Sequence, residues 1–379
     1  MSTFLMNFLK ERGLDGLLLV GDSICHPDIY YLSRFLSHDR FALLACESVS
    51  ILVSSMELSR ARKESTASAA FSTSEYGITE RLKSDPRRAY GEVLAEFLKD
   101  QGQSRLAIPD SFPVGICRAL EERFEVSIVK SPIREMRSIK SPGEIEAITE
   151  AQRACEDAMR TAEMLISRSR VSGEMLVDDR GPLTSERVRG AIEVSLLTRG
   201  FQADGTIVAG GQKAADPHFQ GSGPLPANSP IVIDIFPRSS KTRYYADMTR
   251  TMLRGEASLE IEEMYEAVFQ AQAAGLGALR SGIEGCEVHE LVCQSFRDMG
   301  YPEREKVGYI HSTGHGVGLE VHETPSISEA GEMLLAGNVV TVEPGLYYPS
   351  VGGIRLEDLV VVEEGGCRDL TVYERRLVV

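Results

Sequence analysis

The chain has 379 residues and carries 41 Lys+Arg against 56 Asp+Glu, a formal net charge of −15. At about 100–200 residues per domain this length points to two domains, and the acidity argues against sequence-independent binding to nucleic acid or anionic membrane, both of which need clustered Lys and Arg. Seven scattered cysteines with no C-x-x-C spacing argue against a disulfide framework or structural zinc. Lys10, Glu11 and Arg12 interrupt the first apolar run, and no stretch approaches the ~20 apolar residues of a membrane span. The expectation is a cytoplasmic protein with reduced thiols.

In the first ~130 residues, short apolar runs alternate with helix-compatible stretches. Leu17–Val20, Phe41–Cys46, Ser50–Val53, Leu106–Pro109 and Val126–Val129 read as strands, and Arg88–Leu98 reads as a helix. That alternation predicts an α/β domain with a parallel or mixed sheet. No G-x-G-x-x-G follows Val20-Gly21-Asp22, so there is no dinucleotide fingerprint here. Ser141-Pro142-Gly143-Glu144 is a helix start: Ser as N-cap, Pro in the first turn and Glu three residues after the cap. The domain boundary is placed just before it, giving an N-terminal domain over 1–135 and a C-terminal domain over 136–379.

The C-terminal part reads as α+β. Helical periodicity covers roughly 144–168, 184–199, 257–281 and 287–299, and extended runs fall at Thr206–Ala209, Ile231–Phe236, Met248–Leu253, Val339–Val342 and Leu359–Val362. Residues 169–182 look like a loop, with a disordered hinge as the expectation. Gly205–Ala215 lacks the G-K-[ST] ending of a phosphate loop and reads as a pocket-lining strand and turn. Glu256–Glu263 reads as a solvated helix face.

Chemistry gathers at the ends of the extended runs. Asp234 interrupts IVIDIFP, Asp247 stands in YYADMTRT, and His311, His315 and His322 share HSTGHGVGLEVHE. Glu343 follows VTV, and Glu357 lies in GIRLEDLVVV. Taken singly, each has a bland reading as a turn, cap or loop residue. Together they place polar groups among apolar neighbours, where an unpaired charge is costly. Four carboxylates and one imidazole are a donor set suited to two divalent cations sharing bridging carboxylates.

The ordered motifs I-D, A-D-x-T-R-T, H-x-x-G-H-x-x-G-L-x-x-H-E, V-E-P-G and I-R-x-E-D resemble the pita-bread metallopeptidases, which include methionine aminopeptidase, aminopeptidase P, prolidase and the metal-free creatinase. The preceding α/β half is similar to the N-terminal domain of the creatinase, prolidase and aminopeptidase P branch. The resemblance implies Asp234, Asp247, His315, Glu343 and Glu357 as ligands of a dinuclear site. The cofactors it implies are two divalent ions, manganese or cobalt first, with zinc or iron also suited. It further implies substrate-side roles for His218, His311, His322 and Arg355, with Glu343 also moving a proton, and cleavage of X–Pro bonds by a metal-bridging hydroxide. The implied partner is a small peptide with proline in second position, acted on by a homodimer. Two other readings stay open: hydrolysis of another C–N bond, as in creatinase, which lacks the ligands, or a non-catalytic binding member of the fold. Asp234 and Asp247 stand thirteen residues apart, more than is usual in the family, and a β-bulge or longer hairpin is expected to absorb the excess. Some dipeptidase-type members of the family carry an arginine close to the central histidine that clamps the substrate carboxylate; here Ser312 and Ser326 stand nearby, so the resemblance does not secure dipeptide specificity. His26 reads as a loop histidine, with donation across a dimer as the alternative, and His289 and His38 carry no functional expectation.

Overall fold

A computed structural model describes residues 3–302 and 306–379. The chain divides into two compact units, Met1–Arg137 and Ser138–Val379.

The first unit is built on a six-stranded mixed sheet in the order Ala69–Ser72, Val49–Val53, Phe41–Ala45, Gly16–Gly21, Arg105–Pro109 and Glu125–Val129. Gly16–Gly21 runs antiparallel to Phe41–Ala45 and parallel to Arg105–Pro109. Because strand side chains alternate faces, Leu18 and Val20 join one apolar core with Val93, Phe97 and Leu98, while Leu17 and Leu19 join a second with Leu5, Leu9 and Phe35. A central strand buried on both faces is why GLLLV reads as an unbroken apolar run. The short strand Ala69–Ser72 escaped the sequence reading because it is only four residues long, too brief to show an alternating period, with Ala69, Ala70 and Phe71 only partly buried.

The second unit combines four long helices, Pro142–Arg168, Ser185–Thr198, Leu259–Ala278 and Gly285–Asp298, with several small sheets. At the first helix start, the Ser141 N–H donates to Glu144 Oε2 at 2.9 Å, satisfying an otherwise orphaned donor. One sheet orders Ile207–Gly210, Ile231–Ile235 and Met248–Met252. Another orders Glu323–Ile327, Gly314–Gly316, Val339–Val342, Asp358–Glu363 and Gly366–Asp369. A hairpin, Gly345–Tyr348 with Gly352–Arg355, places Leu346 and Ile354 in a core with Ile261, Val268, Val292 and Phe296 of the third and fourth helices. The apolar stripes of those two helices therefore support the hairpin from behind.

One expectation changes, and another narrows from two alternatives to the longer hairpin. Residues 169–182 are not a structureless hinge: Arg170–Ser172, Met175–Asp178 and Gly181–Pro182 pair antiparallel, and Leu176 and Leu183 are fully buried. Strands this short, turning at Gly173 with φ 61°, are too brief to leave a period in the sequence. The Asp234–Asp247 excess needs no bulge in the ladder, which runs unbroken from Ile231↔Met252 to Ile235↔Met248. It is taken up in the connection, where Arg238–Ser239 pairs with Phe201–Gln202. None of the seven cysteines is in a disulfide, and no described helix is long and apolar enough to cross a membrane.

Candidate metal centre

Six strands and the segments beside them deliver the candidate residues to one cavity of about 530 Å³, lined by all of Asp234, Asp247, His315, Glu343 and Glu357, together with His218, His311, His322 and Arg355. Asp234 stands opposite Thr249 in the antiparallel ladder, and Asp247 immediately precedes the second strand of that pair. His315 lies in the short strand Gly314–Gly316, where close approach demands glycine: a Cβ on Gly314 would sit 2.0 Å from the Thr341 carbonyl oxygen. Glu343 follows Val339–Val342, and Glu357 precedes Asp358–Glu363.

One ligand atom each from Asp247, His315 and Glu357 lies within 4.8 Å of the others, a group able to hold a metal ion. His315 Nδ1 contacts the Gly316 carbonyl oxygen at 3.2 Å, and because a carbonyl only accepts, Nδ1 carries the proton there. Its Nε2 faces Glu343 Oε1 at 3.2 Å and Asp247 Oδ2 at 3.9 Å. A carbonyl on the far nitrogen fixes the ring in the orientation a metal-binding imidazole needs. Asp234 Oδ1 and Glu357 Oε1 are buried and have no hydrogen-bond partner among the described residues. Buried carboxylate oxygens left bare are expensive, and hard divalent cations take such oxygens as ligands. The donor set thus fits two divalent cations.

The electrostatics carry the same message. Burial, reinforced by the carboxylates of Glu357, Asp234 and Glu343, holds Asp247 well above the ordinary carboxylate range. Burial followed by Glu343 and Asp234 does the same to Glu357. Asp234 is raised by burial, against the pull of Arg355. Burial would raise Glu343 too, but the hydrogen bond and charge of His315 outweigh it and bring Glu343 to about 2. His315 is raised in return, its burial outweighed by Glu343. A proton between His315 and Glu343 here does the charge balancing that a cation does when bound.

Around these groups runs a network of buried donors. Arg355 donates from Nη2 to Asp234 Oδ2 at 2.6 Å, from Nη1 to Tyr347 Oη at 2.9 Å and from Nε to Thr249 Oγ1 at 3.1 Å. The Thr249 hydroxyl in turn donates to Glu357 Oε2 at 2.7 Å. His311 Nδ1 donates to the Ser312 carbonyl oxygen at 2.7 Å. Burial lowers His311 to about 4, so its ring is neutral and Nε2 accepts from the Tyr347 hydroxyl at 3.0 Å. Both His311 nitrogens are thereby engaged, whereas His322 and His218 line the cavity from exposed positions. The His322 ring stands edge-on to His315 with centroids 4.3 Å apart, and burial with the neighbouring His315 lowers its pKa.

Sequence reasoning missed Thr249, Tyr347 and Gln152, whose Oε1 accepts the Asp247 N–H at 3.3 Å. A signal existed for Thr249, two residues after Asp247 and on the same strand face. Tyr347 and Gln152 reach the site through tertiary packing and leave no local mark. His289, without functional expectation, is a buried ring whose Nδ1 lies 2.8 Å from Thr313 Oγ1. His26, at the N-cap of Pro27–Ser33, contacts the Asp22 carbonyl oxygen through Nδ1 at 3.0 Å.

Comparison with known proteins agrees with this architecture. Residues 146–364 match metallopeptidase family M24. The chain is 29% identical over 383 residues to an Xaa-Pro dipeptidase of Pyrococcus horikoshii, covering 99% of this chain and 97% of that one. It superposes on the crystal structure of the prolidase from Pyrococcus horikoshii with a TM-score of 0.81 at 28% identity, covering 99% and 98% of the two chains. On the X-Pro aminopeptidase from Thermotoga maritima it gives 0.81 at 27% identity, with the same coverage. The chain belongs to metallopeptidase family M24, and its second unit has the pita-bread fold of that family.

Proposed function

We propose that this protein is a dinuclear-metal peptidase that hydrolyses X–Pro bonds, with Asp234, Asp247, His315, Glu343 and Glu357 holding the metals. The observation that carries the reading is the convergence of three buried carboxylates, the partly buried Glu343 and one correctly turned imidazole on a single cavity, two of the carboxylate oxygens bare. The family and the names of the X–Pro-cleaving relatives supply the bond class. Manganese or cobalt is the metal we expect to support turnover.

When bound, paired divalent cations supply an activated water and polarise the scissile carbonyl. Glu343 takes the proton of the attacking water and delivers it to the departing proline nitrogen. The exposed ring of His322 is placed to donate where charge develops on the carbonyl oxygen. Arg355 holds Asp234, and through Tyr347 it fixes His311, so these two act by orientation. An X–Pro bond has no N–H on its nitrogen, so recognition falls on the free amino group and on the shape of the proline pocket.

The test is turnover of an X–Pro substrate by purified protein before and after chelation, followed by reloading with Mn²⁺ or Co²⁺ and elemental analysis. Activity is expected to fall at least ~1,000-fold on chelation and to return on reloading; a chelated protein that still turns over at the original rate would remove the metal from the mechanism. Tyr347→Phe leaves His311 Nε2 without its donor, so kcat is expected to drop roughly tenfold with KM moving less than about threefold. Steady-state kinetics of the loaded variant check this, and an unchanged kcat would mean that the tyrosine does not position His311 for turnover.

A further inference from the structure

We propose that Gln152 is a positioning residue of the metal centre, a buried amide bridge that fixes Asp247 relative to Glu357 across two separate sheets. This rests on the dinuclear-metal reading above, whatever the substrate. The helix Pro142–Arg168 turns an apolar stripe inward, with Ile148, Ala151, Cys155 and Met159 fully buried, and Gln152 stands in that stripe at 0% exposure. A buried amide is costly unless its donor and its acceptor both find partners. Here both partners lead to metal ligands.

Asp247 lies one residue outside the ladder that carries Asp234, which ends at Ile235↔Met248, and its N–H is taken by Gln152 Oε1 at 3.3 Å. At the other end of the amide, Nε2 donates to Thr371 Oγ1 at 3.0 Å. The same hydroxyl oxygen accepts the N–H of Leu359, two residues after Glu357, at 2.9 Å. The bonds therefore run from the sheet of Ile231–Ile235 to the sheet of Asp358–Glu363 through one side chain. The amide cannot turn over, because Nε2 would then face the Asp247 N–H, donor against donor. Three residues further along the helix, on the same face, Cys155 Sγ donates to the Ile235 carbonyl oxygen at 3.1 Å and grips the residue that follows Asp234. One helix face holds the backbone beside both aspartates, and Gln152 carries that hold on to the strand that follows Glu357. Asp247, His315 and Glu357 offer ligand atoms within 4.8 Å of one another. Metal–ligand distances tolerate only about ±0.2 Å, so slack between these backbones is felt at the ion before it is felt by the fold.

Gln152→Met keeps the reach and removes both hydrogen bonds, Thr371→Val keeps the shape and removes the shared acceptor, and Thr371→Ser keeps the hydroxyl. Mn²⁺ affinity is read by isothermal titration calorimetry on folded full-length protein well below its melting temperature, where a loss of fold stability alone leaves it unmoved. Gln152→Met and Thr371→Val are each expected to weaken binding about tenfold, the lower end for groups that support metal ligands. The double variant should be about as weak as the weaker single variant, because both break one bridge. Thr371→Ser should stay within about threefold of the parent, its hydroxyl still accepting both bonds. At saturating Mn²⁺, kcat of Gln152→Met on an X–Pro substrate should fall about tenfold with KM little changed. Single variants that bind as tightly as the parent, with only the melting temperature lowered, make Gln152 a packing residue and overturn the proposal while the metal reading stands. Losses that multiply in the double variant overturn the bridge. A parent that binds no Mn²⁺ overturns the metal reading and the proposal together. Where Gln152→Met does not fold, the two Thr371 variants decide: weakening by Thr371→Val with recovery in Thr371→Ser upholds the bridge, and any other pattern overturns it.

Discussion

Asp247→Asn is expected to abolish turnover, lowering kcat/KM by at least ~1,000-fold, well beyond the ~10–100-fold typical of groups that merely support a metal ligand. What distinguishes this from a structural lesion is the sign of its effect on stability. Asp247 is held well above its ordinary value of 3.8, chiefly by burial and then by Glu357, Asp234 and Glu343. A carboxyl raised in the folded state favours its protonated form there, so its ionisation opposes folding. Stability of the metal-free protein is therefore greatest below about pH 4 as far as this group is concerned. It is lost as pH rises from the ordinary carboxylate value through the raised one. The neutral amide removes that opposition, and metal-free Asp247→Asn should melt above the metal-free parent at pH 7.5 and close to it near pH 4. Bound cations reverse the balance for the parent because they replace protons on the same oxygens, so metal affinity falls as pH falls. The parent should gain melting temperature on Mn²⁺ addition at pH 7.5 and much less at pH 5, while the variant gains little at either. Thermal melts with and without metal at several pH values check both statements. A metal-free variant less stable than the parent at pH 7.5 would show that Asp247 is a structural residue.

Much of this site was legible because its residues break the pattern of their surroundings. The strand Ile231–Ile235 is buried at every position, so the aspartate in IVIDI stands out against a run that otherwise needs no polar residue. Val339–Val342 and Asp358–Glu363 repeat the signal with Glu343 and Glu357 at their edges. The glycines around His315 gave the sequence only a loop reading; their reason is tertiary, since a Cβ added at Gly314 would sit 2.0 Å from the Thr341 carbonyl oxygen. What stayed hidden was the support. Thr249 and Tyr347 are ordinary strand residues by composition, and their importance lies in which atoms meet them across 106 and 8 residues of chain. His311 shows the cost of that blindness. Its spacing from His315 suggests a donor aimed at substrate, whereas the hydroxyl of Tyr347 occupies its Nε2. The longer hairpin over 236–247 was one of two readings of the Asp234–Asp247 spacing, but its anchoring by pairing with Phe201–Gln202, far away in sequence, left no local mark.

Arg355→Met is expected to damage both stability and turnover, and the two losses should separate on adding metal. The guanidinium is buried, as is the Asp234 carboxylate it holds at 2.6 Å. Removing one partner of a buried ion pair typically costs about 3–5 kcal/mol because the other charge is stranded. Here the stranded group is a candidate metal ligand, and a bound cation supplies the missing positive charge. Metal should therefore restore a larger share of stability in Arg355→Met than in the parent, read as the increase in urea midpoint on loading at pH 7.5. Turnover should not recover, because the methionine gives Tyr347 Oη and Thr249 Oγ1 no donor, and the orientation of His311 and Glu357 depends on those two hydroxyls. A kcat deficit of roughly 100-fold surviving full metal occupancy is the expected outcome. Arg355→Lys sharpens the comparison, since it keeps the charge but cannot make three contacts in one plane. It should restore most of the metal-free stability of the parent and only part of its kcat. Full recovery of kcat by Arg355→Lys would reduce the role of this residue to charge alone, and the planar fork joining Asp234, Tyr347 and Thr249 would then be incidental to turnover.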